Sequence, residues 1–290
     1  MAWTVTYDLD EFRVAAGGFL RAHPARNTIL LTVVSSLAVA GSGRYGDEPP
    51  VYGWWTGEEK GPAEGAFLCT PPHPLLLSAL SGEAARGLAR TLARDGEPKV
   101  TGVNAGRETA ETFATAWQDL TGAVGIVGQT HRLYRLDALT PPDPAPPGRP
   151  RTATTADRDL LITWCEGFAR EAGALSGNAA AQVDDRLGHG GITVWELDGR
   201  PVACAGISRT IADMARIALV YTPPELRGRG YAGAATAAVS GAARAAGVKE
   251  ILLFTDLDNP TSNALYQRLG YRPMEDRLVL SFSAEQGPPS

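Results

Sequence analysis

The sequence predicts a layered α/β (α+β) protein of two domains, each a mixed central sheet flanked by helices, and three observations predict it. The chain has 290 residues, more than most single cores use, so two domains of roughly 140 residues each are the expected division. A tract reading TPPDPAPPGRPRTA packs six prolines between Leu139 and Ala153 with almost no apolar residue, the composition of an extended, exposed connection. On both sides of it, segments with apolar residues at helical spacing alternate with short segments of strand character. The expected organisation is a first domain over residues 1–139, a linker over 140–151 and a second domain over 152–290.

In the first domain Glu64 to Thr70 reads as a strand, Glu83 to Arg94 as a helix, Lys99 to Asn104 as a strand, Glu108 to Leu120 as a helix and Val124 to Leu136 as terminal strands. In the second, Asp157 to Ala174 carries Leu160, Leu161, Trp164, Phe168 and Ala169 at helical spacing, and Asn178 to Leu187 reads as a further helix. Ile192 to Leu197 and Val202 to Ser208 alternate as a hairpin about the turn Asp198 to Pro201, and a longer strand follows at Ala215 to Tyr221. A Gly-rich loop leads to the Ala-rich helix Tyr231 to Ala246, stopped by Gly247. Ile251 to Thr255 is a continuous apolar run, as a strand covered on both faces should be. Thr261 to Leu269 is a helix stopped at Gly270, and Leu278 to Phe282 closes the sheet. The first domain echoes the end of this order in weaker form, which suggests a duplicated architecture. After Thr70, however, it holds PPHPLLLS, with no glycine to let a phosphate approach.

Bulk properties exclude several function classes. The formal charge is −5 and no Lys/Arg block stands out, so neither nucleic acid nor an anionic membrane is an expected partner. Cys69, Cys165 and Cys204 are odd in number and lack ligand spacing; they read as small buried hydrophobes, with neither a disulfide framework nor a metal site expected. The start MAWTVTYDLDEF lacks the charged and apolar regions of a signal peptide, and the longest apolar run, Ile29 to Ala40, is too short to span a bilayer. A cytoplasmic protein is the expectation.

The chemistry concentrates in LVYTPPELRGRGYAGAATAAV, where a strand ends at Tyr221, turns through Pro223 and Pro224, and enters a helix through Arg227, Gly228, Arg229, Gly230, Tyr231 and Ala232. Free amides at a helix N-terminus point outward, the helix dipole favours negative charge, and glycines leave the backbone open to a pyrophosphate. There is no Gly-Lys-Ser/Thr of a P-loop and no G-x-G-x-x-G with a distal acid. Further on, FTDLDNPTSNALYQRLGYRP sets Asn259, Asn263 and Tyr266 near one side of a helix start.

These two stretches, at this separation and in this strand-helix order, resemble the GNAT superfamily of acetyl-CoA-dependent N-acetyltransferases. RGRGYA matches the superfamily's pyrophosphate motif, and NPTSNALYQRLGY its following Asn/Tyr helix and Gly-Tyr exit. The resemblance covers residues 152–283; for the first domain it rests on topology, as a degenerate GNAT-like copy. It implies that backbone groups of Leu219, Val220 and Tyr221 meet the thioester and pantetheine, that Arg227 through Ala232 hold the pyrophosphate, and that Asn259 and Asn263 contact the coenzyme arm. It further implies that Tyr266 lies near sulfur as the acid, with the amide at Val220 as oxyanion donor. The implied co-substrates are acetyl-CoA and an unidentified amine of a small molecule or peptide, without a metal; a homodimer is left open.

Each of these residues also has a plainer reading: Tyr266 as a core aromatic beside Leu265 and Leu269, Asn263 as a helix-surface amide, Asn259 as a helix-start turn. The strand ARIALVY carries no carboxylate, so Glu196, Asp213, Glu225 and Asp256 are candidate bases by position only, better read as solvated surface groups, and His189 reads as a loop residue. Two alternatives stay open: a non-catalytic acyl-CoA sensor or interaction module, and an N-acyltransferase using a longer acyl chain.

Overall fold

The chain folds as two compact units. The computed structural model describes residues 2–58, 61–172 and 178–283. Of the described residues, the first unit takes those up to Arg132, Asp256–Asp258 and 275–283; the second takes those of Leu133–Thr255 and Asn259–Met274.

In the first unit β1 (Ala2–Thr6) leads into α1 (Leu9–Ala22). Asp8 caps α1 by accepting the amides of Asp10 and Glu11 at 2.8 and 3.1 Å, and Phe12, Ala16 and Leu20 form its buried stripe. Then come α2 (Thr28–Ala40), β2 (Val51–Thr56), β3 (Ala63–Cys69), β4 (Leu75–Leu77), α3 (Gly82–Asp95), β5 (Gly102–Gly106), α4 (Arg107–Thr121) and β6 (Val124–Leu136), which ends in the second unit. Strands β1 to β4 pair antiparallel in sequence order, and β4 pairs β5 in parallel, Leu75 opposite Val103. Helices α3 and α4 both stop at a left-handed glycine, Gly96 and Gly122. The core gathers Phe67, Leu75, Leu88, Val103 and Phe113. Strands β1, β2 and β4 and helices α1 and α2 extend the order read from the sequence.

The second unit holds β7 (Arg149–Thr152), α5 (Arg158–Glu171), α6 (Ala179–Leu187), β8 (Ile192–Leu197), β9 (Arg200–Ile207), β10 (Met214–Tyr221), α7 (Tyr231–Ala245), β11 (Glu250–Asp256, in this unit to Thr255), α8 (Pro260–Arg268) and the start of β12 (Tyr271–Ser283). Gly173 and Ala174, the last positions of the helix expected to begin at Asp157, lie outside the described residues. The end of the proline-rich tract is part of the sheet: β7 pairs antiparallel with β8, Pro150 opposite Trp195, and the Trp195 indole donates to the Pro147 carbonyl at 2.9 Å. A proline is tolerated there because β7 is an edge strand.

One sheet face of this unit buries Ala203, Ala205, Ala215 and Ile217 with Tyr231 and Ala235 of α7 and Tyr266 of α8. The other buries Val194, Cys204 and Leu219 with Leu161, Trp164 and Cys165 of α5 and Val183 of α6. Strand β12 is longer than the expected Leu278 to Phe282 and passes into the first unit, where Arg277 to Ser281 pair with β5. Its charged stretch Glu275-Asp276-Arg277 hides the strand signal in the sequence.

Candidate functional site

The site begins with a break in β10. Leu219 has φ +55, and the pairing of β10 with β9 shifts register between Ala218 and Tyr221, a β-bulge that adds a residue and bends the strand. The shift shows in burial: Ile217 packs on the α7 face, whereas Leu219, two residues on, packs with α5 and α6. Pairing of β10 with β11 runs from Met214 opposite Glu250 to Ile217 opposite Leu253 and, among the described residues, no further. Past that point the two parallel strands part, and the backbone of Leu219, Val220 and Tyr221 has no ladder partner in β11.

The strand then turns. Pro224–Leu226 forms a single 3-10 turn, with Leu226 donating to the Pro223 carbonyl at 2.9 Å. Arg227 pins it: its guanidinium donates to both oxygens of Glu171 at 2.7 Å and to the Thr222 carbonyl at 2.9 Å, and stands 5.7 Å from the Tyr221 ring centroid. The Arg227 side chain is therefore committed to holding the loop. Arg229 makes only a long contact to the Glu225 carbonyl, 3.5 Å.

Gly228 and Gly230 have φ +76 and +83, the left-handed region that side chains disfavour. Gly230 is the N-cap of α7 and brings no capping side chain. The first bond of the helical ladder joins the Ala234 amide to the Gly230 carbonyl at 3.1 Å; the amides from Gly228 to Gly233 find no acceptor among the described residues. No acidic residue stands in the first turn. Pro146 of the proline-rich tract passes beside Gly230, 3.8 Å from where a Cβ would be, and its ring carries no group that could satisfy those donors.

On α8, Tyr266 is buried against Tyr271, ring centroids 6.0 Å apart, and burial pushes its phenol up to about 12. Its hydroxyl has no hydrogen-bond partner among the described residues, so at neutral pH it is a protonated, uncommitted donor. Asn259 caps α8, its side chain accepting the Ser262 amide at 3.0 Å. Asn263 donates to the Asn259 carbonyl at 2.8 Å and accepts from the Tyr134 hydroxyl at 2.8 Å, and that hydroxyl also accepts from Gln267 at 3.1 Å. Tyr134 is fully buried. It had no sequence signal, because its partners lie about 130 residues away.

Three of the four candidate bases are engaged, while the carboxylate of the fourth, Glu225, is exposed and has no hydrogen-bond or ion-pair partner among the described residues. Glu196 is ion-paired with Arg149 and Arg151 at 3.1 and 2.6 Å, and those bonds hold its carboxyl below the usual range. Asp213 pairs with Lys249 at 2.8 Å. Asp256, in the first unit, accepts the Asp258 amide at 2.9 Å. Both His189 ring nitrogens lie against backbone carbonyls, Nδ1 at 2.7 Å from Asp185 and Nε2 at 3.2 Å from Ile207. Cys69, Cys165 and Cys204 are all buried, and burial raises each thiol, Cys69 and Cys204 to about 12, far from the reactive thiolate. Among the described residues no His/Cys/Asp/Glu group is arranged to hold a metal ion, and no helix is long and apolar enough to cross a membrane.

Residues 157–271 match the model of the acetyltransferase (GNAT) family. No curated protein matches the sequence. Among solved structures, a Drosophila protein is similar at TM-score 0.68 with 11% identity, covering 98% of this chain and 99% of its own. A GCN5-related N-acetyltransferase from Sphaerobacter thermophilus has TM-score 0.62, 15% identity and coverage of 96% and 94%. A GNAT acetyltransferase from Colwellia psychrerythraea has TM-score 0.61, 12% identity and coverage of 97% and 99%. At such identities the likeness is one of fold, and it extends through the first unit as well as the second. Residues 157–271 are thus a GNAT-family acetyltransferase domain, within a chain that has the GNAT fold over nearly its whole length.

Proposed function

We propose that this protein is an N-acetyltransferase that moves the acetyl group of acetyl-CoA to an amine of a small molecule or peptide by direct attack, with the chemistry in the second unit. The observation that carries this reading is the row of backbone amides from Gly228 to Gly233, left without acceptors at the N-terminus of α7. A diphosphate suits that row, since the donors are fixed, the helix dipole favours an anion, and the first turn holds no acid. In this reading Arg227, Gly228, Arg229, Gly230, Tyr231 and Ala232 hold the pyrophosphate, mainly through the backbone, with the Arg229 guanidinium adding charge. Leu219, Val220 and Tyr221 align the pantetheine arm along the parted strand, and Asn259 and Asn263 flank it from α8.

The thioester supplies an activated acyl carbon. The Val220 amide donates to its carbonyl oxygen, where negative charge builds as the amine attacks, so the contact strengthens as the barrier is approached. Tyr266 gives its phenolic proton to the departing sulfur, and its burial keeps that proton in place well above neutral pH. The amine arrives neutral or loses its proton through water; Glu196 and Asp213 are held in ion pairs, and Glu225 is the candidate carboxylate in the loop without one among the described residues. The first unit keeps the architecture without an open helix start and takes no coenzyme.

Purified protein should bind coenzyme A in calorimetry and release free thiol from acetyl-CoA with some primary amine faster than solution does. Binding without turnover across a broad amine panel would favour the sensor reading, and competition among acyl-CoA chain lengths decides the donor. Absence of coenzyme binding would end the proposal.

A further inference from the structure

Tyr134, near the end of β6, carries a hydroxyl that its core does not need. The ring is fully buried in the cluster that α7 and α8 close over the sheet of the second unit, where phenylalanine would fill nearly the same volume. A buried phenol is tolerated when it finds partners, and this one spends its bonds on a single helix. It donates to Asn263 Oδ1 at 2.8 Å and accepts from Gln267 Nε2 at 3.1 Å. Those two residues stand one turn apart on one face of α8. Asn263 in turn donates its Nδ2 to the Asn259 carbonyl at 2.8 Å, so its amide is held with the oxygen toward Tyr134 and the nitrogen toward the start of the helix.

Helix α8 depends on such ties. It is nine residues long, and Tyr266 is its one buried residue. Helices of that length are unstable alone, and a single buried side chain sets rotation about the helix axis only weakly. The two bonds from Tyr134 fall at Asn263 and Gln267, on either side of Tyr266 in the chain, and fix that rotation. The Tyr266 ring also meets Tyr271 in a T-shaped contact, and the Tyr271 hydroxyl lies 2.8 Å from Ser240 of α7. The phenol without a partner of its own is thus framed by two phenols that have them.

We infer that Tyr134 is a positioning residue for acyl transfer, its hydroxyl setting the rotation of α8 and thereby aiming the Tyr266 hydroxyl at the departing sulfur. The inference rests on the reading above, in which Tyr266 is the acid. Being fully buried, Tyr134 acts through α8 and not on a reactant. A displacement of about 1 Å in a reacting group can cost up to about 10² in rate, while the donors proposed to hold the diphosphate stay where they are on α7.

The test is a double-mutant cycle on thiol release from acetyl-CoA, with glycine, ethylamine, spermidine and the dipeptide Ala-Ala offered as acceptors and the fastest retained. Tyr134→Phe should lower kcat by about tenfold, with coenzyme A affinity in calorimetry and the KM for acetyl-CoA within about twofold of wild type. In a Tyr266→Phe background the same substitution should change kcat by less than about twofold, because no donor is left to aim. A general loosening of the fold would lower the rate in both backgrounds. An equal fall in both, a kcat unchanged by Tyr134→Phe, or a loss carried by coenzyme affinity overturns the inference. Gln267→Ala, at an exposed position, removes the second bond and leaves the ring in place. It should lower kcat about threefold with Tyr266 present and not without it, and it decides the matter if Tyr134→Phe does not fold. A rate untouched by Tyr266→Phe removes that residue as the acid, and failure of coenzyme A to bind, or of every acceptor to release thiol, removes acyl transfer itself. Either takes this inference with it, whereas the earlier outcomes sink it alone.

Discussion

Helix α3 begins at Gly82 behind Ser81, whose hydroxyl accepts the Ala84 amide at 3.2 Å; helix α7 begins at Tyr231 behind Gly230, which has no side chain to offer. The strand-to-helix turn of the first unit also engages two further donors: Ser78 donates to the Ala66 carbonyl at 3.0 Å and Leu80 to the Thr109 hydroxyl at 3.2 Å. Glu83 then puts a negative charge in the first turn of α3, which satisfies the dipole from within and repels a phosphate. In α7 the same positions hold glycine and small residues, with Arg229 close by. The preceding strands differ in parallel: β4 is three residues long, whereas β10 is eight residues long and carries the bulge at Leu219. In the proposed reading one architecture serves as scaffold in one unit and as an anion site in the other, and the difference lies in what caps a helix.

Predictions follow from trying to break that contrast. The largest effect should come from Tyr266→Phe, which removes a proton donor of the second unit: kcat should fall by about 10² or more, the usual worth of a placed acid, while calorimetry finds coenzyme A affinity near wild type. A rate unchanged by this variant would remove Tyr266 as the acid. Next, Gly230→Val forces a β-branched residue to φ +83 and should weaken coenzyme A binding by roughly ten- to a hundredfold, from strain of about 1–3 kcal/mol. Ser81→Ala, its counterpart in the first unit, should lower stability to denaturant by about 1 kcal/mol without altering coenzyme A affinity.

The smallest expected change is in the pH profile. The Tyr266 phenol is pushed up to about 12 by burial, so the donor stays protonated as pH rises and is lost only on passing that value. The rate should rise with pH as the amine acceptor deprotonates and show no descending limb attributable to Tyr266 below about pH 10, the ordinary phenol value. A descending limb near neutrality that disappears in Tyr266→Phe would contradict the account.

Local features were legible and distant ones were not. The turn from Tyr221 to Ala232 could be read because glycines, arginines and a following Ala-rich helix lie together in the chain. Helix α1 carries local signals of its own, an Asp8 cap and the stripe Phe12, Ala16, Leu20. Helix α2 is apolar nearly all round, TILLTVVSSLAVA, and so has little helical period to detect. Strand β4 is only Leu75–Leu77, behind a proline-rich turn, and for that reason the loop corresponding to the α7 start lies at Ser78–Ser81 and not directly after Thr70. The proline-rich tract hid β7 because an edge strand needs only half its backbone donors. The bulge at Leu219 and the Tyr134 contact to Asn263 depend on partners distant in sequence, which no local pattern encodes.

The central claim is that the α7 start, alone of the two, is open to a diphosphate. Its most direct test is a titration of isotope-labelled protein with coenzyme A, following backbone amide resonances at both helix starts. The account predicts saturable shifts at Gly228 to Gly233 at one coenzyme per chain, with Gly82 to Ala85 unmoved. Shifts at Gly82 to Ala85, or none at Gly228 to Gly233 when coenzyme binds, would contradict it.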